Sequence, residues 1–120
     1  EAGILSERLI TCLVDNGYLK EELFENTFNI FEFCNLNPEV FEKTSNFYFS
    51  VSVYSSGSLI FSLAKGSYSF EKDCQIQEKI ETKAYPRCSE KEEVALFNDK
   101  NVRIMILAAS NQNGRKISVL

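Results

Sequence analysis

A chain of 120 residues with 44% hydrophobic and 25% charged side chains has the make-up of one globular domain, able to bury roughly two-thirds of its unfolded surface. Its net charge of −4, with no cluster of Lys and Arg, argues against nucleic acid or an anionic membrane surface as partner, because both want a basic face. No apolar run approaches the roughly 18 residues of a membrane span, and no Asn-x-Ser/Thr sequon offers a clue to secretion. The chain begins at Glu1 rather than Met, as expected of a processed product or an excised domain.

Leu5, Leu9, Cys12 and Leu13, widened by Ile10 and Val14, recur at helical spacing and predict a first helix from Ser6 to about Asn16. Ser6 is the expected N-cap, although Leu9 stands where a capping box wants Glu. Asn16-Gly17 is the expected stop, since both residue types enter the left-handed region readily. From Lys20 to Cys34, Leu23, Ile30 and Cys34 fall on one line and Phe24, Phe28 and Phe31 on the next. That spacing predicts a second helix with an aromatic core face, its first turn carrying Glu21 and Glu22 where negative charge suits the helix dipole. Asn37-Pro38 pairs an N-cap with the residue favoured at the first helical position, so a short third helix from Pro38 to about Lys43 should bury Val40 and Phe41.

The stretch Phe47 to Phe70 is the centre of the expected fold. Phe47, Phe49, Val51 and Val53 alternate with Tyr48, Ser50, Ser52 and Tyr54, the period-2 pattern of a strand with one buried face. After Ser55-Ser56-Gly57 the alternation resumes with Leu59, Phe61 and Leu63, which reads as a hairpin. Beyond Gly66 the large residues shift phase to Tyr68 and Phe70, so a β-bulge is expected at Gly66.

Between Glu71 and Glu93 there are seven acidic and five basic side chains, and the apolar anchors are few: Ile76, Ile80 and Tyr85. This polar excursion is expected to hold a short helix around 75–83 and a turn at Pro86. Val94 to Phe97 reads as a short strand, residues 98–101 as a turn, and Val102 to Ala109 as a strand apolar on both faces, hence central. A second turn over 110–114, with Asn113-Gly114, leads to a last strand holding Ile117, Val119 and Leu120.

Helices followed by strands with short turns make an α+β domain over residues 1–120. The expected form is two or three N-terminal helices packed on one face of a curved, roughly five-stranded antiparallel sheet. That order is similar to the cystatin-like and nuclear transport factor 2-like folds in architecture alone. The Gln-x-Val-x-Gly element of cystatin inhibitors is absent, which removes the main reason to expect protease inhibition.

Chemistry is thinly supplied. The chain has no His, which removes the commonest general base, the Ser-His and Cys-His nucleophile pairs, and the commonest metal ligand. No CxxC or glycine-rich phosphate loop is present, and neither a cofactor nor a metal is expected. Carboxylates remain: Glu90, Glu92 and Glu93 before a strand, and Glu21, Glu22 and Glu25 at a helix start. Acid–base work needs two such groups across a cleft, one with its pKa raised by burial, and runs of this kind are more often solvated faces.

Four cysteines allow three pairings. Cys74 and Cys88 bracket the polar excursion, and their disulfide would close a loop of about 15 residues, worth roughly 3 kcal/mol. Cys12 and Cys34, on a straight antiparallel helix pair, would be offset on the order of 15 Å, too far for a disulfide unless the helices cross steeply or break. They are otherwise buried thiols. The even count and the missing Met lean towards a secreted or extracellular setting.

The leading functional expectation is a non-catalytic module that binds another protein through the polar 71–93 loop, with Lys83, Tyr85 and Arg87 as binding residues. Two alternatives stand beside it. One is a carrier of a small apolar ligand held between the helices and the curved sheet; the other is a carboxylate-dependent enzyme. The apolar terminal strand adds a strand-edge dimer as a further expectation.

Overall fold

The structure, a computed structural model, describes residues 2–42, 47–67, 74 and 87–110. In chain order the elements are α1 (Ala2–Leu13), the short strands β1 (Val14–Asp15) and β2 (Tyr18–Leu19), a 3-10 turn (Glu21–Phe24), α2 (Ile30–Phe33) and α3 (Pro38–Glu42). The long strands follow: β3 (Phe47–Ser55), β4 (Ser58–Gly66), β5 (Arg87–Phe97) and β6 (Lys100–Ser110). The α+β class is as expected. The sheet, however, is six-stranded and mixed, in the order β1-β2-β5-β6-β3-β4, because β2 meets β5 in parallel at Tyr18↔Leu96.

The alternation of β3 works as read. Phe47, Phe49, Val51 and Val53 are fully buried against the helices, as are Ile104, Ile106 and Ala108 of β6. β6 lies between β5 and β3 at the sheet centre, which explains why its apolar residues occupy both faces. The helices supply the other half of the core: Leu5, Leu9 and Leu13 from α1, Ile30 and Phe31 from α2, and Val40 and Phe41 from α3. Phe31, Phe41, Phe47 and Phe49 form a chain of ring contacts, with Phe41 edge-on to Phe49 at 5.1 Å. Edge-to-face pairs of this kind add to what area burial contributes.

α1 starts at Ala2, so Ser6 is not its cap. Ser6 sits one turn in, fully buried, where its hydroxyl donates to Gly3 O at 3.0 Å and shares a 2.9 Å hydrogen bond with Ser89 Oγ of β5. Asn16-Gly17 does not stop the helix either. The two residues, at φ 52° and 83°, form the turn of the β1–β2 hairpin. Positive φ at both central residues matches the right-handed twist of the flanking strands. Two more turns are built the same way, Ser56-Gly57 and Asn98-Asp99, so the turn expected over 98–101 is only two residues long.

The expected helix over Lys20–Cys34 is broken. A single 3-10 turn is followed by non-helical residues, and α2 begins afresh at Ile30 with Asn29 as its cap. The Asn29 side chain accepts from Phe31 N at 3.0 Å and Glu32 N at 3.3 Å. Asn26, Thr27, Phe28 and Asn29 are all poor helix formers, and Asn offers its side chain to a new N-terminus. The break brings Cys34 back over α1. Cys12 and Cys34 therefore form a disulfide with Cα atoms 5.5 Å apart, not two buried thiols. α3 starts as read, with Asn37 Oδ1 accepting from Glu39 N at 3.1 Å.

Two further features of the sheet depart from the reading. A bulge lies at Val53/Tyr54, opposite Ile60; the one expected at Gly66 turns on the phase of Tyr68 and Phe70, which lie outside the described residues. The extra residue, Ile60, carries Leu59 to the face opposite Phe61 and Leu63. Gly66 ends β4 at φ 105°, hard against the Phe47 backbone. β5 begins at Arg87, well before the short strand expected from Val94. Residues 87–93 thus belong to a ladder that pairs Arg87↔Ser110 through Phe97↔Lys100. Pairing along the full length of β6 overrides the low strand preference of Glu and Lys. The expected helix at 75–83, the Pro86 turn, Asn113-Gly114 and the strand holding Ile117, Val119 and Leu120 lie outside the described residues.

Candidate functional site

With the helices on one face, the sheet keeps a second face whose grid follows from register. Near the hairpin turns one row runs Val94–Arg103–Tyr54–Leu59 across β5, β6, β3 and β4. The next rows are Glu92–Met105–Ser52–Ser62 and Glu90–Leu107–Ser50–Ala64. The last is Cys88–Ala109–Tyr48–Gly66. The two ends of this face differ sharply in cover.

At the far end, Tyr48, Ala109 and Cys74 form a small buried cluster of their own, with Ala64, Cys88 and Leu107 packed against it. The Cys74–Cys88 disulfide, Cα atoms 5.8 Å apart, fixes Cys74 there. The pairing expected from sequence is present, and its site on the open face is what the sequence did not disclose.

At the turn end the face is bare. Val94 is 66% exposed, Leu59 54% and Ile60 42%. Tyr18, which meets Leu96 across the parallel bridge, is 60% exposed and brings a second aromatic ring beside the row. A Leu96 N–H bond to Gly17 O at 2.8 Å fastens the small hairpin to β5. Arg103 stands in the middle. Its guanidinium lies 5.2 Å from the Tyr54 ring centre, and its Nε is 3.3 Å from Glu92 Oε1. Both partners of that ion pair are about half-exposed, so the contact contributes little to stability. It does help keep the guanidinium beside the Tyr54 ring. Tyr54, Val94, Asn101 and Arg103 line a shallow depression of about 260 Å³ floored by the Ser56-Gly57 turn.

Of the binding residues expected from sequence, Arg87 is the first residue of β5, paired in register with Ser110 and adjacent to Cys88. Lys83 and Tyr85 lie outside the described residues. The candidate carboxylates do not converge. Glu90 and Glu92 point to the open face and Glu93 to the other, all of them exposed. Glu21, Glu22 and Glu25 ring the 3-10 turn at the surface. Among the described residues no three His, Cys, Asp or Glu side chains gather as metal ligands, and no helix is long and apolar enough to cross a membrane.

Sequence reading missed Tyr18, Val94, Leu96 and Tyr54 as a group. One signal was present: the off-core phase of β3 carries Tyr48 and Tyr54, bulky rings where a plainly solvated face would carry charge. The chain matches no family model, no curated protein and no solved structure.

Proposed function

We propose that this protein is a non-catalytic interaction module that binds another protein through the bare end of its open sheet face. The observation that carries the reading is the row Val94–Arg103–Tyr54–Leu59 with Tyr18 and Leu96 beside it: exposed apolar and aromatic groups around one arginine. Tyr and Arg are the residue types that dominate binding energy at protein interfaces, and adjoining exposed apolar residues mark such surfaces. The contact of Arg103 with the Tyr54 ring reduces the freedom that binding must remove. The polar stretch 71–93 enters this reading at one end, through Arg87 and Cys88, so Lys83, Tyr85 and Arg87 belong to the proposal as a second recognition element. Two disulfides support an extracellular, oxidising setting for the encounter.

The test is capture of a partner from extracellular fluid by the immobilised, oxidised chain, run beside two double variants. Loss of the captured partner on Tyr54→Ala with Arg103→Ala, but not on Tyr85→Ala with Arg87→Ala, is the expected result. The reverse pattern moves recognition to the polar stretch. Equal capture by all three proteins overturns both.

A further inference from the structure

The two edges of the sheet are built differently. At one, β1 is two residues long and ends at Asp15, whose carboxylate meets Lys20 Nζ at 3.5 Å. A short, charged strand is how natural sheets blunt an edge. At the other, β4 runs nine residues, and among the described residues its ladder partner is β3 alone. Towards Gly66 this strand is engaged: Ala64 packs on the Tyr48–Cys74 cluster, and Lys65 reaches over the Phe31 ring. Residues 58–63 differ. Ser58, Leu59, Ile60 and Ser62 are exposed, and the stretch contains neither charge nor proline. Charge and proline, two of the devices that keep an edge from pairing, are absent there, and the bulge at Ile60 is the one such device the stretch carries.

We propose that residues 58–63 of β4 pair antiparallel with the same residues of a second copy, joining two sheets about a twofold axis. The charge pattern favours a second copy. The only charge on β4 is Lys65, so the stretch offers nothing for a charged partner strand to match. In the antiparallel self-pair the two Lys65 residues stand at opposite ends, on the order of 25–30 Å apart, well beyond a Debye length of about 8–10 Å. Parallel pairing would set them side by side. The exposed glutamates of β5 are kept from the joint by β6 and β3, which lie between β5 and β4. The contact covers Leu59 and Ile60, and because it is isologous it closes at two subunits instead of propagating.

Sedimentation equilibrium of the oxidised chain over a wide concentration range tests this. A monomer–dimer equilibrium is expected. Ile60→Lys with Ser62→Lys, both at exposed positions and leaving the circular dichroism spectrum unchanged, should weaken it at least about tenfold, since like charges then face each other across the joint. Val94→Lys, in the open-face row but away from β4, should leave the dissociation constant unchanged, which separates this dimer from the partner-binding face. Amide exchange at residues 58–63 should slow as protein concentration rises. A chain that stays monomeric at every concentration overturns the proposal. So does a dimer indifferent to the edge lysines, or one that Val94→Lys weakens as much.

Discussion

Gly66→Ala and Gly57→Ala form a matched pair in one hairpin, because both glycines have positive φ (105° and 80°) and only one is crowded. At Gly57 an added Cβ meets nothing within 4 Å, so the cost is that of a left-handed L-residue, about 1–2 kcal/mol. At Gly66 the same atom lands on the Phe47 carbonyl oxygen and 2.8 Å from Tyr48 Cα. Both obstacles are backbone, so relief comes only by parting β3 from β4 where Tyr48 faces Gly66. That movement also strains the Ser67 N–H bond to Phe47 O, 3.0 Å long, whose net loss adds about 1 kcal/mol. The total for Gly66→Ala is about 2–3 kcal/mol, a large share of what holds a domain of this size. With a urea slope of about 2 kcal/mol/M, the midpoint should fall by roughly 1–1.5 M for Gly66→Ala and by about 0.5–1 M for Gly57→Ala. Equilibrium urea unfolding with disulfides intact measures both. Equal midpoints for the two variants would refute the crowding argument.

Other expectations follow from the same geometry. A thiol count of the unreduced, denatured chain should find no free cysteine, and Cys12→Ala with Cys34→Ala should cost about 3 kcal/mol, the chain-entropy value for a separation of 22 residues. Asn29→Ala should lose about 1 kcal/mol as the cap of α2 disappears, while Asn29→Asp keeps most of it; thermal unfolding reads both. Ile104→Ala, fully buried at the sheet centre, should cost about 2–5 kcal/mol. Val94→Ala on the open face should change stability by less than about 0.5 kcal/mol.

What was legible in the sequence is what local chemistry decides. Alternation placed Phe47, Phe49, Val51 and Val53 in the core, Asn37-Pro38 opened α3, and apolar residues on both faces put β6 at the centre. What was not legible depends on distant partners. The charges of residues 87–93 argue against a strand until β6 is known to run alongside them. Ser6 looks like a cap until Ser89 supplies a partner for a buried hydroxyl. The axial offset of Cys12 and Cys34 was sound for a straight helix pair, and the stretch from Asn26 to Asn29 is what makes the pair bend. The open-face row was invisible for a related reason: Tyr18, Val94, Arg103, Tyr54 and Leu59 come from five strands, and only register sets them in line.

The placing of α1 has a consequence for biosynthesis. Leu5, Leu9 and Leu13 rest on β5 and β6, which leave the ribosome long after them. At roughly 5–20 residues per second, the interval between Leu13 and Arg87 is on the order of 4–15 seconds. During that wait the greasy stripe of the first helix has no sheet to cover it, yet Cys34 emerges early enough to crosslink to Cys12. A nascent chain halted before β5 should therefore already carry that bond, and should lean on chaperones until β5 and β6 arrive.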